Sequence, residues 1–126
     1  QNTTAYTAAT TLIIGLRAIL QEINEKGGIG ILYCETARRA KATRFALEAL
    51  DLHSYPKTPA RSMTTIDDVN AKDIRDLLKT EFGVNVAGGQ DHLKGKIFRI
   101  NQMGLIDTYE MVWVVNAVEL ALAKLG

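Results

Sequence analysis

Apolar residues recur along this chain at helical spacing in some stretches and at alternating spacing in others, and the switches between the two lay out its elements. From Thr10 to Lys26, Leu12, Leu16, Ile19, Leu20 and Ile23 line one side of a helix. Lys26 followed by Gly27-Gly28 supplies its stop. Ile13 and Ile14 fall off that stripe, so the helix carries more apolar surface than one core contact needs, as a helix bridging two bodies does. A second helix is expected from Thr36 to Leu50, with Ala42, Phe45, Ala46, Ala49 and Leu50 as its apolar face. Arg38, Arg39, Lys41 and Arg44 make its early part basic, which reads as a solvated face.

Pro56 and Pro59 punctuate the next stretch, and Ala60 to Ile66 is expected as a Thr-rich strand. Asn70 is placed to cap a third helix, with Asp73 in its first turn, an apolar face of Ile74, Leu77, Leu78 and Phe82, and Gly83 at its end. Val84 to Ala87 reads as a short strand, Gly88-Gly89-Gln90 as a turn, and Lys96 to Asn101 as a further strand. Asp107 and Glu110 form a capping-box pair opening the last helix, whose stripe is Met111, Val115, Val118 and Leu122. This order predicts an α/β domain of the two-layer α+β kind, a small and mostly antiparallel sheet covered by helices.

Composition narrows the function classes. The chain has 126 residues, room for a single domain. An apolar share of 47% excludes a largely disordered chain. The 15 Lys and Arg against 14 Asp and Glu leave a net charge of +1, which gives no electrostatic case for nucleic acid or for an anionic membrane. No apolar run reaches the ~18–20 residues that span a bilayer; the stretch from Leu12 to Leu20 is broken by Gly15 and Arg17. The lone Cys34 cannot form an internal disulfide, so a reducing compartment, the cytoplasm, is expected. The chain opens on Gln1 and a hydroxyl-rich stretch without Met, so either a piece of something longer or a processed start is expected.

Candidate chemistry is sparse. His53, His92 and Cys34 lie far apart and show no metal-ligand spacing, so no metal is expected. Gly88-Gly89 is not followed by a helix start, which removes the phosphate-loop reading and leaves a tight turn needing positive φ. Lys94 to Arg99 is similar to an RNA-binding strand but lacks its aromatic and small residues at Lys96 and Ile97. Arg99 stands out. Alternation puts Phe98 and Ile100 on one face of its strand and Ile97, Arg99 and Asn101 on the other. Such a guanidinium serves as a bidentate clamp for a carboxylate or phosphate, pairs with an internal Asp or Glu, or is simply exposed.

The run Phe82-Gly-Val-Asn-Val-Ala-Gly-Gly-Gln-Asp-His-Leu-Lys-Gly-Lys-Ile-Phe-Arg-Ile-Asn-Gln-Met-Gly104 resembles the C-terminal domain of class V aminotransferases, pyridoxal-phosphate enzymes of fold type I, in particular their alanine–glyoxylate and serine–pyruvate group. Thr4 to Thr7, the Gly15-Leu16-Arg17 helix and Ser62 to Thr65 extend the resemblance over the chain. It implies that residues 1–126 form one C-terminal small domain, with an interdomain helix at about 10–26 and the catalytic large domain absent. It assigns Arg99 to the α-carboxylate of a small amino acid or 2-oxo acid substrate, and Thr7 and Thr4 to the cofactor phosphate of the other subunit in a homodimer. The Schiff-base lysine, pyridine-nitrogen aspartate and ring-stacking residue of the family lie in the large domain, so no catalytic residue is expected here and the chain alone should be inactive. Ala5 and Ala8 stand where prolines are common, and Asn101-Gln102 replaces a Gly-His pair. The alternatives are an ACT-like regulatory domain that binds an amino acid, or a structural domain in which Arg99 only pairs with an acid.

Overall fold

A computed structural model of the chain describes residues 9–126. The chain divides into two compact units, Gln1–Glu35 and Thr36–Gly126.

In the first unit, α1 spans Thr10–Glu25. Lys26 ends it, donating its backbone N–H to the Glu22 carbonyl while its Nζ meets Glu22 Oε1 at 2.7 Å. None of the α1 residues is buried, including the apolar stripe and the extra Ile13 and Ile14. The next helix, α2, spans Gly28–Glu48 and runs on into the second unit. It starts eight residues before the expected Thr36. Gly27 and Gly28, at φ +101° and +85°, complete the break by themselves. Positive φ at two successive glycines interrupts the helix without a longer loop.

In the second unit, β1 (His53–Ser54), β2 (Met63–Asp67), β3 (Ala87–Gly88) and β4 (Ile97–Asn101) form one sheet in the order β1-β2-β4-β3, with every neighbouring pair antiparallel. Helices α3 (Ala71–Glu81) and α4 (Thr108–Leu125) and the last turns of α2 pack on one face. Leu47, Ile66, Ile74, Leu78, Phe98, Ile100 and Val118 make the centre of that core. Full burial of a side chain such as Phe98 contributes about 1.5–3 kcal/mol. The two-layer α/β expectation therefore holds.

Several local expectations change. The buried face of α2 is Thr36, Ala40, Thr43 and Leu47, not the stripe through Phe45, which is 61% exposed. Thr43 can be buried because its hydroxyl donates to the Arg39 carbonyl at 2.9 Å. The Thr-rich strand begins at Met63 rather than Ala60, and β1 pairs with it without having been expected. The third strand is shifted to Ala87–Gly88, and Val84 is a core residue instead. Asn70 occupies the N-cap position of α3 but makes no capping hydrogen bond; the carboxylate of Asp68 accepts from the Asn70 N–H at 2.7 Å. Gly83 ends α3 at φ +66°, as expected.

The capping box of α4 is complete. Asp107 Oδ1 accepts from the Glu110 N–H at 2.8 Å, and Glu110 Oε2 accepts from the Asp107 N–H at 2.9 Å. Two N-terminal donors are thereby satisfied by side chains four positions of sequence can specify. The buried side of α4 centres on Met111, Ala117, Val118 and Ala121. Small residues there let the helix lie close to α3.

Candidate functional site

The register of the sheet sorts its side chains. Thr64 faces Ile100 and Ile66 faces Phe98, on the helix-covered side. Met63, Thr65 and Asp67 face Asn101, Arg99 and Ile97 on the other side. Arg99 therefore stands where alternation put it, opposite the core. Its neighbour on β3 is Ala87 and its neighbour on β2 is Thr65. The Tyr55 N–H donates to the Thr65 carbonyl at 2.9 Å, so Thr65 turns its backbone groups toward β1. Thr65 and Arg99 are thus a non-hydrogen-bonded pair, the arrangement in which facing side chains come closest.

The Arg99 guanidinium is half-buried and makes no ion pair among the described residues. Instead Nε and Nη2 both donate to the Gly88 carbonyl, at 3.1 Å and 2.7 Å. The methyl group of Ala87 leaves room for the side chain to reach across β3. With the Nε edge held by backbone, the Nη1–Nη2 edge keeps the parallel N–H geometry that suits a carboxylate. Among the described residues the expected alternative of a pairing with an internal Asp or Glu does not occur.

Gly88 and Gly89 hold this arrangement for a steric reason. Neither has positive φ among the described glycines, which corrects the turn reading. A Cβ on Gly88 would overlap the Arg75 guanidinium on the helix side. A Cβ on Gly89 would overlap the Leu93 carbonyl and lie 2.8 Å from Ile97 Cγ1. The loop after β3, with a 3-10 turn at Asp91–Leu93, thus closes tightly over Ile97, two residues from Arg99.

Thr4 and Thr7 lie outside the described residues. Cys34 is exposed on α2, and no group of three His, Cys, Asp or Glu suited to a metal occurs among the described residues. No helix there is long and apolar enough to cross a membrane. The acid–base shifts that stand out are remote from Arg99, on the surface of α3. A hydrogen bond to Asp76, with its negative charge, raises Lys72 above the ordinary lysine range. Hydrogen bonds from Lys72 and Arg75 hold Asp76 below the usual carboxylate range.

One residue beside the site escaped the sequence reading. Gln102 is fully buried at the end of β4, its Nε2 donating to Thr64 Oγ1 at 3.1 Å while Oε1 has no partner. A glutamine just past a strand reads as a loop residue, and its only signal was the departure of Asn101-Gln102 from the Gly-His pair of the resembling family.

The fold is shared with solved aminotransferases. Pyridoxamine–pyruvate aminotransferase from Mesorhizobium loti superimposes with a TM-score of 0.87 at 21% identity, over 98% of this chain and 33% of that one. Alanine–glyoxylate aminotransferase from Nostoc sp. gives 0.85 at 23% identity, over 95% and 33%. At such identities the likeness is one of fold, and it is that of aminotransferase C-terminal domains. Sequence relatives carry the likeness further. An uncharacterized aminotransferase of Helicobacter pylori is 44% identical over 124 residues, covering 98% of this chain and 34% of the relative. The soluble hydrogenase small subunit of a Synechococcus species is 36% identical over 130 residues, and the serine–glyoxylate aminotransferase of Arabidopsis thaliana 28% over 127. No family model matches the chain. The chain is homologous over nearly its whole length to a part of aminotransferases, and spans about a third of the length of the curated relatives it matches.

Proposed function

We propose that this chain is the C-terminal small domain of a pyridoxal-phosphate-dependent class V aminotransferase that moves an amino group between a small amino acid and a 2-oxo acid. The observation that carries this reading is Arg99, the residue the resemblance assigns to the substrate carboxylate. It faces away from the domain's core, has no acidic partner among the described residues and is braced on the Gly88 carbonyl. The 44% identity to an aminotransferase supports it.

Pyridoxal phosphate, when bound, supplies the electron sink for the reaction. The described residues do not make its site. The row of the sheet through Arg99 carries Tyr55, Thr65 and Ala87 and no amine, and Thr4 and Thr7, assigned to the phosphate across a homodimer, lie outside them. The contribution of the described residues is confined to the substrate. Arg99 grips the carboxylate by its free guanidinium edge and fixes the direction of the Cα–H bond; holding a reacting group in one orientation removes part of the entropic barrier. The Gly88 carbonyl keeps the guanidinium from swinging, so little side-chain freedom is lost on binding. In this reading the chain alone does not transaminate, and the whole protein works as a cytoplasmic homodimer.

The test is the kinetics of Arg99→Ala and Arg99→Lys in the full-length protein with carboxylate-bearing substrates and with amines that lack a carboxylate. Loss confined to the carboxylate substrates is the expected result. Unchanged kinetics in a folded Ala variant would overturn the assignment.

A further inference from the structure

Within the second unit, α2 and α4 do not close on each other. Between them lies a groove of about 280 Å³, walled by Ala42 and Ala46 of α2 and by Met111 and Val115 of α4, with Arg39 and Asn116 also lining it. The walls are almost wholly apolar, and no Asp or Glu lines them. Ala42 and Ala46 belong to the apolar stripe that the sequence assigned to the core and that the fold leaves uncovered. Arg39 is half-buried, and its Nε is buried without a hydrogen-bond partner. Its contact on α2 is long, Nη2 to Thr36 Oγ1 at 3.5 Å. With its Nε sealed inside the protein and Nη2 held only by that long contact, the Arg39 guanidinium lining the groove is weakly engaged, and the acceptor that suits it best is an anionic one. Apolar walls with one placed cationic donor are the ordinary makeup of a small-ligand pocket.

We propose that this groove binds a small aliphatic carboxylate, its chain lying against Ala42, Ala46, Met111 and Val115 and its carboxylate accepting from Arg39. The site belongs to the helical layer of the domain, whereas Arg99 stands on the opposite face of the sheet. It therefore needs no part of the substrate assignment. Charge complementarity selects the occupant: Arg39 is the ionised group lining the groove. A cationic amphiphile would instead set a second positive charge beside Arg39.

Titration of sodium octanoate into the purified full-length protein, followed by calorimetry and by backbone amide shifts, tests this. Saturable one-to-one binding is expected, with shifts at Ala42, Ala46 and Val115, and octylammonium should not compete. Arg39→Gln should weaken octanoate at least tenfold while leaving any transaminase activity unchanged. Ala42→Leu, at an exposed helix position that tolerates a larger side chain, should fill the groove and abolish binding without unfolding the protein. Absence of saturable binding, equal affinity in Arg39→Gln, or undiminished binding in folded Ala42→Leu would each overturn the proposal.

Discussion

Arg99 is fastened to Gly88 by two hydrogen bonds from its side chain to a backbone carbonyl on the neighbouring strand, at 3.1 Å from Nε and 2.7 Å from Nη2. The contact converts a flexible side chain into a fixed one. The small Ala87 stands opposite Arg99 on that strand.

Arg99→Ala in the full-length protein should lower kcat/KM for amino-acid and oxo-acid substrates by about 30- to 1,000-fold, corresponding to roughly 2–4 kcal/mol for a charge-assisted two-pronged contact. Arg99→Lys should recover only part of this, because a point charge cannot reproduce the planar fork. Steady-state kinetics on both substrate classes, with thermal melts to confirm folding, provide the check.

Gly89→Ala should destabilise the domain by about 1–3 kcal/mol or more, since the new methyl group meets a backbone carbonyl that cannot move aside. Gly83→Ala meets no atom within 4 Å and pays only for its positive φ, roughly 1–2 kcal/mol. Urea midpoints of the two variants should rank in that order.

Gln102→Leu should cost about 1–3 kcal/mol by leaving the buried Thr64 hydroxyl without its donor. Adding Thr64→Val should return part of that loss, because removing both partners is gentler than removing one. A double-mutant cycle in urea measures the coupling; strict additivity would show that the hydrogen bond contributes nothing.

Asp107→Ala should cost about 1 kcal/mol through loss of the α4 cap, whereas Asp107→Asn should be close to neutral because the amide oxygen accepts equally well. Equilibrium unfolding of both variants distinguishes capping from a mere charge effect.

The sequence by itself determined the features that depend on near neighbours. The Asp107–Glu110 capping box, the Gly83 stop and the helix over Thr10–Glu25 are set by residues within a turn or two of one another. Strand alternation alone put Arg99 opposite Phe98 and Ile100. Tertiary structure decided what depends on distant segments meeting. The face α2 buries was chosen by packing against the core over the sheet, and a threonine whose hydroxyl is satisfied within its own helix displaced the more apolar Phe45. The glycines at 88 and 89 look like turn residues in sequence, yet what requires Gly89 is the closeness of the Leu93 carbonyl, while Gly88 meets only the movable end of the Arg75 side chain. The acceptor of Arg99 was illegible for the same reason. A backbone carbonyl is present at every residue, and only the strand register determines which one comes within reach of a given side chain.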